Sequence, residues 1–489
     1  MNRPATSLPG ALSRATCLGL VGLVLSCVPA ESQEATEPAS AKSDPTVSAG
    51  PAVDPVSRAA ARTTGLLQRY IAIDTTNPPG TEMAGATFLA ELFEAEGIEA
   101  RVLESAPGRG NVYARLEGSG EKRPILLLSH IDVVPTDPAH WSHPPYAGEI
   151  VAGELYGRGS LDCKGAGVVQ ALSLIALRDG QDRLARDVIF LATADEEAGG
   201  RFGAGWILDH HPELFEDVEY VLNEGGFIHR IEGKPLLYNL NAAEKGPCWF
   251  RLTATGEPGH GSRPARETAV TRLIEALHAL LEAPRPHEVG PVVAGYFAAY
   301  AAVEQGRARQ LRQLSSALED EEFYEWFTSE PYRAAQIVDT VAPTVFHSSA
   351  KTNIVPAEVS VEIDSRLLPG HSCEDFLRGV GELVGSDHVR VESLGLSFPS
   401  TQSPLDNELT RAIERLAAEE DALVFPGLLT GFTDSHWFRE RGIHAYGFVP
   451  VAITPEQRKT VHAPNERVSV AELEKGVHRL VRLLHLASG

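Results

Sequence analysis

The chain has 489 residues, too many for one compact domain, so two or more are expected. Its 43% hydrophobic and 22% charged content is that of an ordinary globular protein. A net charge of −23 argues against a nucleic-acid backbone as partner; global charge otherwise reports solubility and names no substrate.

At the N-terminus, Arg3 and Arg14 precede the apolar run CLGLVGLVLSC, residues 17–27. A basic start followed by a short apolar segment is the layout of an export signal, and the run is too short to span a bilayer. VLSC, residues 24–27, resembles a bacterial lipobox, in which the cysteine becomes the lipidated first residue; Leu25 is bulkier than that pattern favours. The expectation is an exported protein. Lipidation of Cys27 would leave it periplasmic or membrane-anchored, and otherwise it is secreted. Residues 28–56 are rich in Pro, Ala, Ser and Glu, lack aromatics and read as a disordered tether. Of the five cysteines, Cys163, Cys248 and Cys373 lie beyond the signal. Three widely spaced cysteines make no disulfide framework, and they read as free buried thiols, one bridge remaining an alternative.

From residue 57 helix and strand alternate. SRAAARTTGLLQRYIAI predicts an amphipathic helix, and TEMAGATFLAELFEAEGI a second that stops at Gly97. NVYARLEG and PILLLSHIDVV read as strands, GAGVVQALSLIALRDG as a helix, and DVIFLATA and VEYVLNEGG as strands. Apolar strands alternating with helices imply a mostly parallel sheet with helices on both faces, whose ligands bind beyond the strand C-termini. Those ends carry His130 and Asp132, then Asp195, Glu196 and Glu197, then Glu224.

The pattern changes near residue 247. PCWFRLTATG, a helix, TVAPTVFHS, EVSVEIDSRL, a second helix and HVRVESLG give a β-α-β-β-α-β order, suited to a small α+β sandwich. It would occupy residues 247–398, inserted in a larger domain of residues 57–246 and 399–489. A long stretch at about 285–340 mixes Pro, aromatic and charged residues and reads as a helical cap or specificity element.

The polar residues at the strand ends carry the chemistry. His130 and Asp132, two apart on extended chain, share a side. Asp162, among the glycines of GRGSLDCKGAG, precedes a helix. Each of His130, Asp162, Glu197, Glu224 and His462 is an ordinary feature by itself: a helix cap, a charged loop, a turn acid, a surface histidine. Together they supply two imidazoles and three carboxylates, a donor set for Zn²⁺, with Mn²⁺ or Co²⁺ as alternatives. One carboxylate can bridge two ions, and a spare one can act as general base on water.

SHIDVVP, GRGSLDCKG, DEEAGG, NEGG, GEPGHGSRP and VHAPNE stand in the order found in the M20 family of co-catalytic metallopeptidases, which this chain resembles over about residues 57–487. The resemblance implies that Asp162 bridges two Zn²⁺ ions, with His130 and Glu224 completing one site and Glu197 and His462 the other. It implies that Glu196 is the general base, that Asp132 orients His130, and that the Asp162–Cys163 peptide is cis, Cys163 serving only packing. The inserted domain then resembles the family's lid and dimerisation domain. His260 would reach the partner subunit's active site and polarise the scissile carbonyl, so a homodimer is expected. Asn353 and Arg366 match lid residues that hold substrate, and TGFTDSHWF matches a substrate loop with Gly431 and Thr433. Phe432 and Asp434 depart there from the usual small residues. The long insertion resembles that of carboxypeptidase S-like and N-acyl-amino-acid hydrolase members. The implied function is hydrolysis of a peptide or N-acyl amide next to a C-terminal amino acid. The alternatives are a biosynthetic deacylase such as a desuccinylase, which the export signal disfavours, and an inactive binding module on the same fold, which the complete ligand set disfavours.

Overall fold

The computed structural model describes residues 53–181, 183–304 and 306–489. The expected signal, most of the tether, and Cys27 lie outside the described residues. The chain enters a helix, Pro55–Ala60, two residues inside the expected tether. Asp54 accepts the Ser57 N–H and Pro55 takes the first turn, where a missing N–H costs nothing. The first expected helix is two, Pro55–Ala60 and Thr63–Ile71, broken at Ala61–Arg62.

Eight strands form the large sheet. From edge to edge they are Ala100–Ala106, Arg109–Leu116, Val188–Thr193, Ile125–His130, Tyr220–His229, His444–Ile453, Leu237–Glu244 and Leu423–Leu429. Val188–Thr193 through His444–Ile453 run parallel, as does the last pair, whereas the other three junctions are antiparallel. The fold is therefore α/β with a mixed sheet, parallel at its centre. The continuous apolar run of Ile125–His130 follows from burial on both faces. Ile125 and Leu127 enter one core, Leu126 and Leu128 the other. Helices Lys164–Gly180 and Val470–Ser488 cover the first face, and Ala204–His210 and Ser435–Arg439 the second.

Between the large sheet's strands ending at Glu244 and starting at Leu423, a second sheet runs Thr340–His347, Glu358–Leu367, Gly246–Thr255, Val389–Ser397, all antiparallel. Helices Ala269–Glu282 and Cys373–Val384 pack on it around a separate core that includes Phe250, Leu252, Leu273, Val361 and Val380. The two connections between the sheets pair with each other, Glu244 donating to the Thr401 carbonyl and Ser403 to that of Ala242.

The stretch at 285–340 is helical, with Pro291–Tyr300 and Glu321–Thr328 its longer elements. Its buried residues, among them Val292, Phe297, Leu314 and Phe327, join the core of the large sheet rather than that of the inserted sheet. Pro291–Tyr300 lies against Leu423–Leu429 and covers what would be an open sheet edge.

The cysteine expectation needs correcting. Cys248 and Cys373 form a disulfide, and among the described residues Cys163 is the free, buried cysteine. Cys248 sits in the first strand of the inserted sheet and Cys373 opens a helix, and the fold brings their Cα atoms to 5.4 Å. A separation of 125 residues carries no local trace of that contact. Among the described residues no helix is long and apolar enough to cross a membrane.

Candidate active site

His130 ends a central strand with its ring buried. Nδ1 meets the Asp132 carbonyl at 2.9 Å, leaving Nε2 to face Asp162 Oδ1 at 2.9 Å and Glu224 Oε2 at 3.5 Å. Across Asp162, His462 Nε2 lies 2.8 Å from Oδ2 and 3.4 Å from Glu197 Oε2. The five residues expected to hold metal are thus together, with one carboxylate between two imidazoles. Donor atoms of His130, Asp162 and Glu197 lie within 4.8 Å of one another, and so do those of His130, Cys163 and Glu224. Burial pushes the Cys163 thiol well up, which leaves it protonated and a poor ligand.

The electrostatics match this donor set. Burial, reinforced by Asp162, raises Glu224 to about 8. Burial and then Glu224 lift Glu196 well above the carboxylate range. Hydrogen bonds to Asp162 and Glu197 hold His462 up at about 10. Glu197 Oε1 is buried with no hydrogen-bond partner. The cluster concentrates more negative charge than two imidazoles balance, which is the pattern a divalent cation relieves. Its residues therefore fit the metal that the sequence implies.

Buried polar contacts hold these residues in place. The Asp132 carboxylate does not bond His130 directly, its Oδ1 lying 3.6 Å from Nδ1. It accepts instead the N–H groups of Glu196 and Glu197 at 3.1 Å each, and Asn77 Nδ2 at 2.8 Å. Asp132 therefore seats the acidic turn as well as the histidine. Asp195 occupies the left-handed region at φ 70° and starts that turn. Arg109 Nη2 at 2.6 Å and the Phe202 N–H at 3.0 Å fix its carboxylate, and Arg109 also pairs with Glu82. Glu466 is fully buried beneath Asp162. It accepts Arg158 Nη1 at 2.6 Å and the N–H groups of Gly159, Leu161 and Asp162 at 3.1, 2.7 and 3.1 Å. The Asp162–Cys163 peptide is cis, and Gly165 lets the next helix start so close that a Cβ there would lie 2.1 Å from the Ser160 carbonyl oxygen.

Asp132 and the cis peptide were expected, whereas the roles of Glu466, Asn77 and Arg109 carry no recognisable mark in the sequence, although VHAPNE contains Glu466. Asn77 and Arg109 reach the site from more than 50 residues away along the chain, with no motif to mark them.

The remaining expected residues divide. Arg366, Gly431, Phe432 and Thr433 line a cleft of ≈ 430 Å³ with Asp162, Glu196, Glu197, Glu224 and His462. Arg366 gives Nε and Nη2 to Asp364 at 2.7 and 3.0 Å and packs between the rings of Trp249 and Phe432. The Thr433 hydroxyl is taken up internally. It donates to Glu244 at 2.6 Å and accepts Asn223 Nδ2 at 3.1 Å, so it acts on the shape of the loop rather than on a ligand. Asp434 fits where small residues are usual because it is buried against Thr193, 2.7 Å away. His260 and Asn353 do not line the cleft. They lie side by side, exposed, where Gly259–His260 pairs with Ile354–Val355. His260 Nδ1 accepts the Ser262 N–H at 3.1 Å.

Residues 126–486 match the model of peptidase family M20/M25/M40. The chain belongs to that family. Its relatives include N-fatty-acyl-amino acid synthase/hydrolase PM20D1 of Bos taurus, 29% identical over 73% of this chain and 72% of that one. Aminoacylase-1 of Homo sapiens is 26% identical over 86% of this chain and 93% of its own length. Among solved structures, the M20 family metallo-carboxypeptidase Sso-CP2 from Sulfolobus solfataricus superposes with a TM-score of 0.66 at 20% identity, covering 87% of this chain and 99% of that one. Human carnosine dipeptidase 1 gives 0.63 at 16% identity, covering 88% and 97%. As an M20 member this protein is a metal-dependent hydrolase of peptide or N-acyl-amino-acid bonds.

Proposed function

We propose that the protein is an exported dinuclear metal hydrolase that releases a C-terminal amino acid from a short peptide or an N-acyl amino acid. The observation that carries this is Asp162, whose two oxygens meet His130 and His462 at 2.9 and 2.8 Å, with Glu224 and Glu197 beside the respective imidazoles. His130 and Glu224 would hold one cation, His462 and Glu197 the other, and Asp162 both. Zn²⁺ suits these donors, with Co²⁺ or Mn²⁺ as substitutes. Bound cations would polarise the scissile carbonyl and lower the pKa of the attacking water.

Glu196 is the carboxylate left over. Left free of the cations in this reading, it can take a proton from water and return it to the leaving amine. Arg366 receives the free carboxylate, its plane held by the rings of Trp249 and Phe432. Phe227, Leu429 and Val461 line the same cleft and suit an apolar side chain or acyl group. Relatives named for N-fatty-acyl amino acids and for carnosine bracket the two substrate types.

His260 sits outside the cleft, and a second copy would bring it in as an oxyanion donor. Exposed Ile274, Leu281 and Phe346 on the inserted sheet and its helix support a dimer through that layer. The Cys248–Cys373 disulfide supports export to an oxidising compartment. Anchoring through Cys27 is read by intact mass, and a mature chain starting after residue 27 rules it out. The activity itself is tested by assaying zinc-loaded protein on a panel of dipeptides and N-acyl amino acids. Absence of metal-dependent release from every member overturns the reading.

A further inference from the structure

Two arginines face the cleft, and their charges are met differently. Arg366 is matched by both oxygens of Asp364. Arg458 closes the short helix Pro455–Arg458, whose start is fixed by a reciprocal cap between Thr454 and Gln457. Its guanidinium lies 5.6 Å from the ring centroid of Tyr332, which the helical insertion supplies. Among the described residues no carboxylate comes within 4.0 Å of it. The neighbouring imidazole of His229 is held neutral, at about 4, by burial and then by the charge of Arg458 itself. Asp162, Glu197 and Glu224 also line the cleft, but their charge is committed to metal in the reading above. Arg458 is thus an exposed cation beside the catalytic residues, resting on an aromatic face and without an acid of its own. Such a planar fork is suited to meet a carboxylate brought in from solution.

We propose that Arg458, seated by Tyr332, forms a second anion subsite, and that the preferred substrates carry a second carboxylate besides the one Arg366 receives. The inference rests on the hydrolase reading above and narrows its substrate class. Because the walls between the polar groups include Phe227, Leu429 and Val461, the second carboxylate stands at the end of an aliphatic chain, in the acyl group or in the side chain. It also gives the helical insertion a role at the site, since Tyr332 is the residue on which Arg458 rests.

The experiment compares zinc-loaded wild type, Arg458→Gln and Tyr332→Ala on two matched pairs. These are N-glutaryl-leucine against N-valeryl-leucine, and N-acetyl-glutamate against N-acetyl-glutamine. Wild type should favour the acidic member of at least one pair. Arg458→Gln should lower kcat/KM for that member about tenfold or more, as expected for a lost charge-assisted bond, while its neutral partner changes less than about twofold. Tyr332→Ala should show the same selectivity at smaller amplitude. Equal losses on acidic and neutral members, or a wild type that favours the neutral member of both pairs, overturn the subsite and leave the hydrolase reading standing. A wild type that cleaves none of the four, nor any member of the wider panel, overturns that reading and the subsite with it.

Discussion

At the edge of the large sheet, His130, Asp162, Glu197, Glu224 and His462 are gathered by one chain, and buried carboxylates hold the turns that carry them. Asp132 seats Glu196 and Glu197, and Glu466 seats Asp162. In the inserted domain, His260 and Asn353 are exposed at the separate two-stranded pairing of Gly259–His260 with Ile354–Val355, to which Gly261 N–H and the Asn353 carbonyl add one bond. Only Trp249 and Arg366 of the inserted sheet reach the cleft. The difference teaches that, in the proposed reading, every metal ligand comes from the large-sheet layer, whereas turnover would also draw on groups that the inserted layer and a second copy bring. Buried polar contacts preorganise the candidate metal ligands, and among the described residues no comparable network holds His260 and Asn353.

The widest separation of the two regions comes from Glu196→Gln. It should lose about 10²–10⁴-fold in kcat while binding zinc at the wild-type stoichiometry, because proton transfer fails and the donor set does not. Near-normal turnover would remove Glu196 from its role. His260→Ala should cost about 10²–10³-fold with metal content intact. Mixing it with Glu196→Gln should restore part of the activity, since one site of the mixed dimer has both groups. No recovery on mixing would place His260 outside the partner's site and collapse the contrast between the regions.

Replacing Cys248 and Cys373 by serine should lower the stability of the inserted sheet by about 2–4 kcal/mol in denaturant titration, with zinc affinity unchanged. An equal loss of zinc affinity would show that the two layers do not act separately. Glu466→Gln should do the reverse. It loosens the Asp162 turn and costs roughly 10–100-fold in zinc affinity, read by competition with a chelating dye, while the inserted sheet melts as before.

The same contrast governs what could be read from the chain. The ligands were legible because short motifs keep local spacing: His130 ends a strand and Asp162 follows a glycine-rich turn, although Glu224, expected at a strand end, lies within the strand Tyr220–His229, and His462 lies just past the helix Pro455–Arg458. The central parallel strands were legible because two-sided burial forces unbroken apolar runs. The first strand of the large sheet, Ala100–Ala106, was not legible, because it is an edge strand with a single buried residue, Leu103. The disulfide, the Arg109–Asp195 pair and the Glu466 bonds join residues 86 to 308 apart, and no local pattern specifies such contacts. The helical insertion was recognised as helical but assigned to a lid. Its apolar residues give no sign of which core they enter, and the uncovered strand Leu423–Leu429 decides that.

The smallest expected effect lies where the insertion meets the inserted layer. His371 Nδ1 faces Asp339 at 2.8 Å and Nε2 faces Glu288 Oε1 at 3.1 Å, and among the described residues the ring forms no other ion pair. Burial alone would lower this histidine, but the bonds and charges of Asp339, then Glu288, raise its pKa above the usual value. A histidine raised in the folded state binds its proton more tightly there than in the unfolded chain. Its contribution is complete below the ordinary histidine pKa and fades as pH rises through the folded value. The ring is partly exposed, so the contribution is a few tenths of a kcal/mol, up to about 1. The wild type should therefore lose a small increment of stability, relative to His371→Gln, between slightly acidic and slightly alkaline pH. Parallel melting profiles for the two proteins across that range would show that the pair holds nothing, and that the insertion is fixed by its apolar contacts with Leu423–Leu429 alone.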